Sequence, residues 1–173
     1  MNILIYGNKE LNKPSEDISE INDDIKKLAD EMYTKMFDAN GIGLAAPQIG
    51  KHIKLIVIDT REEDGIGRLN LINPEIIDVS NETIVMDEGC LSVPGIYAPV
   101  RRPTAIRVRY KTLQGRKMTI NATGMLSRVI QHEIDHLKGI LFVENIEDQD
   151  ILVSVKPLLE KLKRGEKVAF RNK

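Results

Sequence analysis

The chain has 173 residues, of which 42% are hydrophobic and 29% charged, with a formal net charge of −1. This length predicts one domain, residues 1–173, with a buried core. The balanced charge excludes a general attraction to nucleic acid or membranes, and no stretch is apolar enough to span a bilayer. The N-terminus lacks the features of a signal peptide, so we expect a cytoplasmic protein without DNA or membrane partners.

The first half of the chain predicts one amphipathic helix and several short strands. Apolar residues recur at helical spacing over residues 18–37, and Asn40-Gly41 ends the pattern. Residues 41–50 are punctuated by Gly and Pro, which predicts a loop. Segments rich in β-branched and other apolar residues predict strands at 53–59, 69–72 and 75–79.

The second half predicts a hairpin and two further helices. Alternating residues 104–111 and 117–122 flank a turn and form the hairpin. A helix follows over residues 124–138, with Thr123 as a possible N-cap and Gly139 as its stop. A short amphipathic helix is expected around residues 156–163. The order predicts an α+β fold in which antiparallel sheets pack around a central helix, with helices towards both termini.

The predicted central helix carries His132-Glu133-Ile134-Asp135-His136. Histidines four residues apart lie on one helical face, so both imidazoles can bind one metal ion. Glu133 projects beside that point and can take a proton from a water whose pKa the metal lowers from about 16 to roughly 7. The motif continues apolar stripes of the helix, which favours a buried metal site over a surface helix that happens to carry these residues.

A catalytic metal site needs a third protein ligand, and no histidine follows His136. His52 lies beside two lysines and is expected in solvent. Cys90 lies in residues 87–95, where Gly and Pro indicate an irregular backbone between strands. A lone cysteine is more often a small buried hydrophobe, and only its combination with the histidine pair makes it a candidate ligand. Three acids in a loop-like stretch are the other candidates: Glu144, Glu147 and Asp148.

Three segments together resemble the signature motifs of the bacterial-type peptide deformylase family. They are Gly41-Ile42-Gly43-Leu44-Ala45-Ala46-Pro47-Gln48, Glu88-Gly89-Cys90-Leu91-Ser92 and Gln131-His132-Glu133-Ile134-Asp135-His136. Their order and separation also match, over roughly residues 1–147. Two positions depart from the pattern: residues 9–12 replace a Pro-x-Leu-Arg-like segment, and Tyr97 stands where some members have arginine. Neither belongs to the expected chemical centre.

The resemblance implies a metal-dependent amidohydrolase that removes the N-formyl group from the N-terminal methionine of nascent polypeptides and releases formate. It implies one divalent ion per chain, held by Cys90, His132 and His136 with water as the fourth ligand. It also implies iron(II) in cells, whereas zinc, nickel or cobalt suit the same ligands in purified protein.

The resemblance also assigns the chemistry. A metal-bound hydroxide attacks the formyl carbonyl of the peptide substrate, and Glu133 is the general base and acid. The Gln48 side-chain amide and the Leu91 N–H donate to the developing oxyanion. The substrate methionine is expected in an apolar pocket beside the loop that contains Gln48 and the helix that contains His132 and His136. The residues expected to bind substrate are Ile42, Gly43, Leu44, Gly89, Met125, Leu126 and Val129.

Two rival interpretations remain from the histidine pair alone. A zinc endopeptidase of another family shares the pair, but it would have a third ligand downstream and no cysteine motif. A binding protein with a structural metal site would normally supply four protein ligands, and Glu133 would then have no role.

The C-terminal tail, about residues 148–173, is basic although the chain as a whole is slightly acidic. On an enzyme that acts on nascent chains, such a tail suggests contact with the ribosome, whose RNA is a dense phosphate surface. A solvated, partly disordered terminus explains the same composition equally well.

Overall fold

The computed structural model describes residues 1–61 and 67–171 and has the expected α+β architecture. Within these ranges the α-helices are α1 (Asp23–Asp38), α2 (Gly124–Leu137) and α3 (Gln149–Lys163). The strands are β1 (Gly43–Ala45), β2 (Leu55–Asp59), β3 (Arg68–Val79), β4 (Thr83–Cys90), β5 (Val93–Pro103), β6 (Ala105–Lys111), β7 (Lys117–Thr123) and β8 (Phe170–Arg171). Short 3₁₀ helices lie at Lys9–Asn12, Ala46–Ile49 and Phe142–Asn145. No helix in the described ranges is long and apolar enough to cross a membrane.

The first sheet is antiparallel, in the order β1-β2-β3-β6-β7. Helices cover both of its faces. Ile56 and Ile58 of β2 pack in the core against α2, whereas Leu55 and Val57 pack in the core against α1. Burial on both faces explains why β2 is a continuous apolar run rather than an alternating one.

The second sheet has the order β4-β5-β8, in which β4 and β5 form an antiparallel hairpin and β8 pairs with β5 in parallel. Its core packs against α3 and the 3₁₀ helix Phe142–Asn145. Helix α2 contacts β1 of the first sheet and β5 of the second. Eleven of its 14 residues are buried, among them His132, Glu133 and His136, so these polar side chains are held in the interior.

The predicted start of the N-terminal helix is wrong. The helix begins at Asp23 because the Asn22 side chain accepts the N–H of Ile25 and caps it there. Upstream, Ile18 donates to Asn73 Oδ1 at 2.8 Å and accepts from Asn73 Nδ2 at 2.9 Å. These two bonds hold Ile18 outside the helix, although its position in the apolar pattern fits a helix.

Four predicted segments have different structures. The loop expected at residues 41–50 contains β1 and the 3₁₀ helix Ala46–Ile49. The two strands expected at 69–72 and 75–79 are one strand, β3, which passes through a register shift where Asn73 adopts a φ of 50°. The irregular backbone expected at 87–95 lies in the β4–β5 hairpin, and its irregularity is a bulge between Gly89 and Cys90.

The predicted hairpin and central helix are confirmed as β6, β7 and α2. Thr123 precedes α2, but its side chain makes no capping hydrogen bond. The C-terminal helix is longer than predicted. It begins at Gln149 rather than at residue 156, because the Asp148 side chain accepts two backbone N–H groups at its start.

Candidate active site

Cys90, His132 and His136 meet where β4 ends beside α2. Their ligand atoms all lie within 4.8 Å of one another, and Cys90 Sγ is 3.2 Å from His136 Nε2. The helical spacing places the two imidazole centroids 5.0 Å apart. Within the described ranges no other group of three such side chains is arranged to hold a metal ion. A thiolate and two imidazoles fit a divalent transition metal and leave one coordination position open.

The alternative third ligands are engaged elsewhere. His52 is half-buried rather than solvated, and its Nε2 lies 3.0 Å from the Glu10 carbonyl oxygen. Glu144 accepts a backbone N–H at the start of its own 3₁₀ helix. Glu147 forms an exposed ion pair, and Asp148 caps α3. The structure therefore gives each of these residues a separate local role.

Glu88 orients His132. Its carboxylate accepts the hydrogen bond of His132 Nδ1 at 2.9 Å, which leaves Nε2 as the ring nitrogen available to a metal. Arg102 binds both oxygens of Glu88, at 2.6 and 3.0 Å, and Arg128 Nη1 binds Oε1 at 2.7 Å. Burial opposes ionisation of this carboxyl, but the hydrogen bonds from Arg102 and His132 outweigh it and lower the pKa of Glu88 to about 2.

Arg128 also ties α2 to the second sheet. Its guanidinium donates to the Val100 carbonyl at 3.0 Å and to the Ile84 carbonyl at 2.9 Å. Neither Arg128 nor Arg102 was identified from the sequence as a site residue. Arg128 did carry a signal, because it precedes His132 by four residues and so shares its helical face.

The two histidines have opposite electrostatic environments. Burial and the charge of His132 hold the pKa of His136 well below its ordinary value, so its imidazole is neutral and ready to bind a metal. Burial also lowers the pKa of His132, but interactions with the Cys90 sulfur and the Glu88 carboxylate raise it well above the ordinary value. A metal ion must displace that proton, which makes its binding depend on pH.

Glu133 lies on α2 with only 4% of its surface exposed. Its Oε2 is buried and has no hydrogen-bond partner among the described residues. Gly43 of β1 lies so close that a Cβ added there would be 2.6 Å from Glu133 Oε1. Burial raises the pKa of Glu133 to about 7. The carboxyl can therefore exchange a proton near neutral pH and has an oxygen free for a substrate or a water.

The segments that contain Gln48 and Cys90 come together beside the candidate metal ligands. Gln48 is 1% exposed, and its Nε2 lies 3.6 Å from Cys90 Sγ and 3.1 Å from Ser92 Oγ. Its Oε1 accepts the Ala45 N–H at 2.9 Å. Leu91 directly follows Cys90 and is half-buried. The two expected oxyanion donors are thus neighbours of the same candidate metal ligand.

The residues expected to bind substrate occupy three environments. Ile42, Leu126 and Val129 pack in the core cluster between the first sheet and α2, and Met125 is 37% exposed at the start of that helix. Leu44 has no exposed surface and packs instead in the core cluster between the first sheet and α1.

The two expected glycines lie close to large side chains. Gly43 approaches Val129 and Glu133, and a Cβ added at Gly89 would collide with the Tyr97 ring. The Gly89 backbone therefore lies directly under that ring.

The chain is similar to proteins of one known family. The family model "Polypeptide deformylase" matches residues 1–151. "Peptide deformylase 2" of Gloeobacter violaceus is 51% identical over 148 residues, which are 85% of this chain and 79% of that protein. A peptide deformylase of Rhodopseudomonas palustris is 42% identical over 95% of this chain and 96% of its own. The crystal structure of a Synechococcus elongatus peptide deformylase with actinonin superimposes with a TM-score of 0.87 at 40% identity, covering 96% of this chain and 88% of that one.

Proposed function

The chain belongs to the polypeptide deformylase family, and on that premise we propose that it removes the N-formyl group from the N-terminal methionine of nascent polypeptides. One observation carries the proposal. On the helix that brings two histidines to the cysteine lies a buried glutamate, one of whose oxygens has no hydrogen-bond partner within residues 1–61 and 67–171. Hydrolysis of a formyl amide needs this combination of a metal site and a proton-transfer group.

We propose that one divalent metal ion is held by Cys90 Sγ, His132 Nε2 and His136 Nε2. The donor set fits such an ion, since the imidazole of His132 is already oriented by Glu88 and His136 is neutral. When bound, the ion supplies Lewis acidity that promotes deprotonation of water and polarises the substrate carbonyl. The ligand types suit zinc, nickel and cobalt, and we propose iron(II) in cells, where metal supply decides occupancy.

Glu133 moves the proton in the proposed mechanism. In its ionised form it accepts a proton from the attacking water as the new C–O bond forms. It then donates that proton to the amide nitrogen as the C–N bond breaks, which releases formate and the free amine of methionine. A pKa near 7 suits both steps, because neither protonation state is strongly favoured at neutral pH.

We propose that Gln48 Nε2–H and the Leu91 N–H donate to the carbonyl oxygen as it gains charge. Both groups lie next to Cys90, and the Gln48 amide is buried and held at both ends. Donors fixed in advance stabilise the developing charge more than mobile water does.

The methionine side chain is proposed to enter an apolar pocket. Ile42, Leu126 and Val129 form its wall, and Met125 forms its exposed edge. Leu44 contributes through its backbone at most, because its side chain is enclosed by the α1 core. The backbones of Gly43 and Gly89 border the site, where the absence of a Cβ permits close approach to Glu133 and Tyr97.

We further propose that residues 1–173 form one catalytic domain that acts in the cytoplasm and contacts the ribosome through its basic C-terminal tail. The single domain is supported by the packing of α2 against both sheets. The ribosomal contact is supported by the exposed lysines Lys156, Lys161 and Lys167. The tail's Lys173 lies outside the described residues.

Formate release from formyl-Met-Ala tests the proposed reaction directly. Protein purified without oxygen, with its metal content measured, should release formate from this peptide. It should not release acetate from acetyl-Met-Ala, because the site is expected to exclude the larger acyl group. Metal-loaded protein that releases no formate, or that cleaves internal peptide bonds at a comparable rate, would contradict the proposal.

A further inference from the structure

Ser92 makes a buried contact that the proposed reaction does not yet use. It lies two residues after Cys90 and has no exposed surface. Its hydroxyl oxygen accepts a hydrogen bond from Gln48 Nε2 at 3.1 Å. Its backbone is anchored as well, since its N–H lies 3.4 Å from Cys90 Sγ and its carbonyl accepts the Tyr6 N–H at 2.8 Å. The hydroxyl is thus held on a fixed backbone.

The contact determines which way the Gln48 amide faces. The Ala45 N–H is a donor, so only the carbonyl oxygen of Gln48 can lie against it. The Nε2 group therefore lies on the other side, where one of its two hydrogens bonds to Ser92. The second hydrogen is left on the side of Cys90, whose sulfur is 3.6 Å away.

We propose that Ser92 is a positioning residue for deformylation, which fixes the second Nε2 hydrogen of Gln48 in the direction of the substrate oxygen. This inference rests on the proposed role of Gln48 as an oxyanion donor. Without the Ser92 hydroxyl, the amide keeps its bond to the Ala45 N–H and the longer contact of Nε2 with Cys90 Sγ, and it loses the shortest bond that holds Nε2 against rotation about the last side-chain torsion. A donor that must be reoriented during the reaction stabilises the oxyanion less than one held in place.

A double-mutant cycle of Ser92→Ala and Gln48→Ala tests the inference. With formyl-Met-Ala, Gln48→Ala should lower kcat by about 10²-fold or more, the usual cost of removing one oxyanion donor. Ser92→Ala should lower kcat by about tenfold, the equivalent of one hydrogen bond, with little change in KM. In the Gln48→Ala background, Ser92→Ala should have no further effect, because the group it positions is gone.

Ser127→Ala is the matched control. Ser127 is also fully buried, and its hydroxyl also accepts a hydrogen bond from a glutamine Nε2, that of Gln131, at 3.0 Å. The control measures what loss of such a hydroxyl does to folding in general. It should leave kcat within about twofold of the wild type, whereas Ser92→Ala should not. Metal content should equal that of the wild type in both variants, because neither hydroxyl is a ligand.

A second readout does not depend on turnover. In proton–nitrogen NMR spectra of the zinc-loaded protein, the Gln48 side-chain amide protons should be protected from solvent exchange. Ser92→Ala should reduce this protection and leave that of the Gln131 amide unchanged.

The outcomes separate the two proposals. Wild-type kcat in Gln48→Ala would overturn the role of Gln48, and that of Ser92 with it. A large loss in Gln48→Ala together with equal effects of Ser92→Ala in both backgrounds would overturn the role of Ser92 alone.

Discussion

Glu133 has a buried carboxyl, one oxygen of which has no partner in the part of the chain that the structure describes. It lies beside the three candidate metal ligands without being one of them. We therefore expect Glu133→Gln to bind metal normally and lose nearly all turnover. General acid–base catalysis contributes about 10²–10⁴-fold, so kcat should fall by at least that range. Metal analysis and formate release on the same sample check both parts. Near-normal turnover would rule out Glu133 as the proton carrier.

The raised pKa of Glu133 also predicts how the metal-free protein responds to pH. The carboxyl ionises near 4.5 in an unfolded chain and near 7 in the fold. Between these values the folded state keeps a proton that the unfolded state has lost. The stability from this group is therefore complete below about pH 4.5 and is lost as the pH rises through 7, a loss of about 3 kcal/mol.

Urea unfolding of the metal-free wild type and Glu133→Gln at pH 5 and pH 8 measures this loss. Glutamine cannot ionise, so the wild type should lose free energy of unfolding relative to the variant between the two pH values. A difference that stays constant with pH would show that Glu133 is already ionised in the fold at pH 5.

Cys90 is proposed to bind metal as a thiolate. A serine hydroxyl stays protonated at neutral pH, so it cannot replace that thiolate. Cys90→Ser should therefore bind metal at least tenfold more weakly and lose most activity. Competition with a chelator measures the affinity. If metal content and rate both match the wild type, Cys90 is only a packing residue.

At the scale of whole elements, local patterns predicted some parts of the fold and missed others. The β6–β7 hairpin and α2 were predicted because the spacing of apolar residues along each segment shows which of its faces is buried. The β4–β5 hairpin was missed because its glycines and prolines are typical of loops, and its pairing follows from contacts with distant residues. The start of α1 was misplaced for the same reason, since Asn73, far along the chain, holds Ile18 outside the helix.

Arg128 allows a test of how α2 is attached to the second sheet. Arg128→Met keeps an apolar stem of similar length but removes the bonds to Glu88, Val100 and Ile84. The free energy of unfolding should fall by about 2–4 kcal/mol, because two carbonyls and a buried carboxylate lose a donor. Urea unfolding measures the change.

Arg101→Met is the matched control for that variant. Arg101 lies on β5, and its side chain forms exposed hydrogen bonds with Glu147 and Thr83, so its loss should change stability by about 0.5 kcal/mol or less. Equal effects of the two substitutions would mean that the Arg128 bonds do not stabilise the fold.

At the scale of the whole molecule, the site is assembled from distant segments. Gln48 and Cys90 are 42 residues apart, and Cys90 and His136 are 46 apart. The motifs indicated these residues as candidates because each motif is local. Two features follow only from the three-dimensional arrangement, which local patterns do not encode. One is the pair of arginines that bind Glu88, and the other is the Glu133 oxygen that has no partner among the residues described.

The proposed ribosomal contact belongs to this largest scale. Lys156, Lys161 and Lys167 are exposed and form no ion pair within the described part of the chain, unlike Lys163 and Arg164. Reversing these three lysines to glutamate therefore leaves the existing pairs in place. The variant should keep full activity on formyl-Met-Ala, since the metal site lies on α2, and it should bind ribosomes more weakly.

Salt dependence and a charge-matched control complete this test. Wild-type binding to ribosomes should weaken steeply as salt rises, because each lysine on a phosphate displaces a counterion. The control reverses Lys27, Lys51 and Lys117, which are exposed elsewhere on the molecule and change the net charge equally. If the two variants bind equally well, the contact depends on net charge rather than on the tail. If the tail variant binds like the wild type at every salt concentration, the tail is a solvated terminus and ribosomes are bound by another surface.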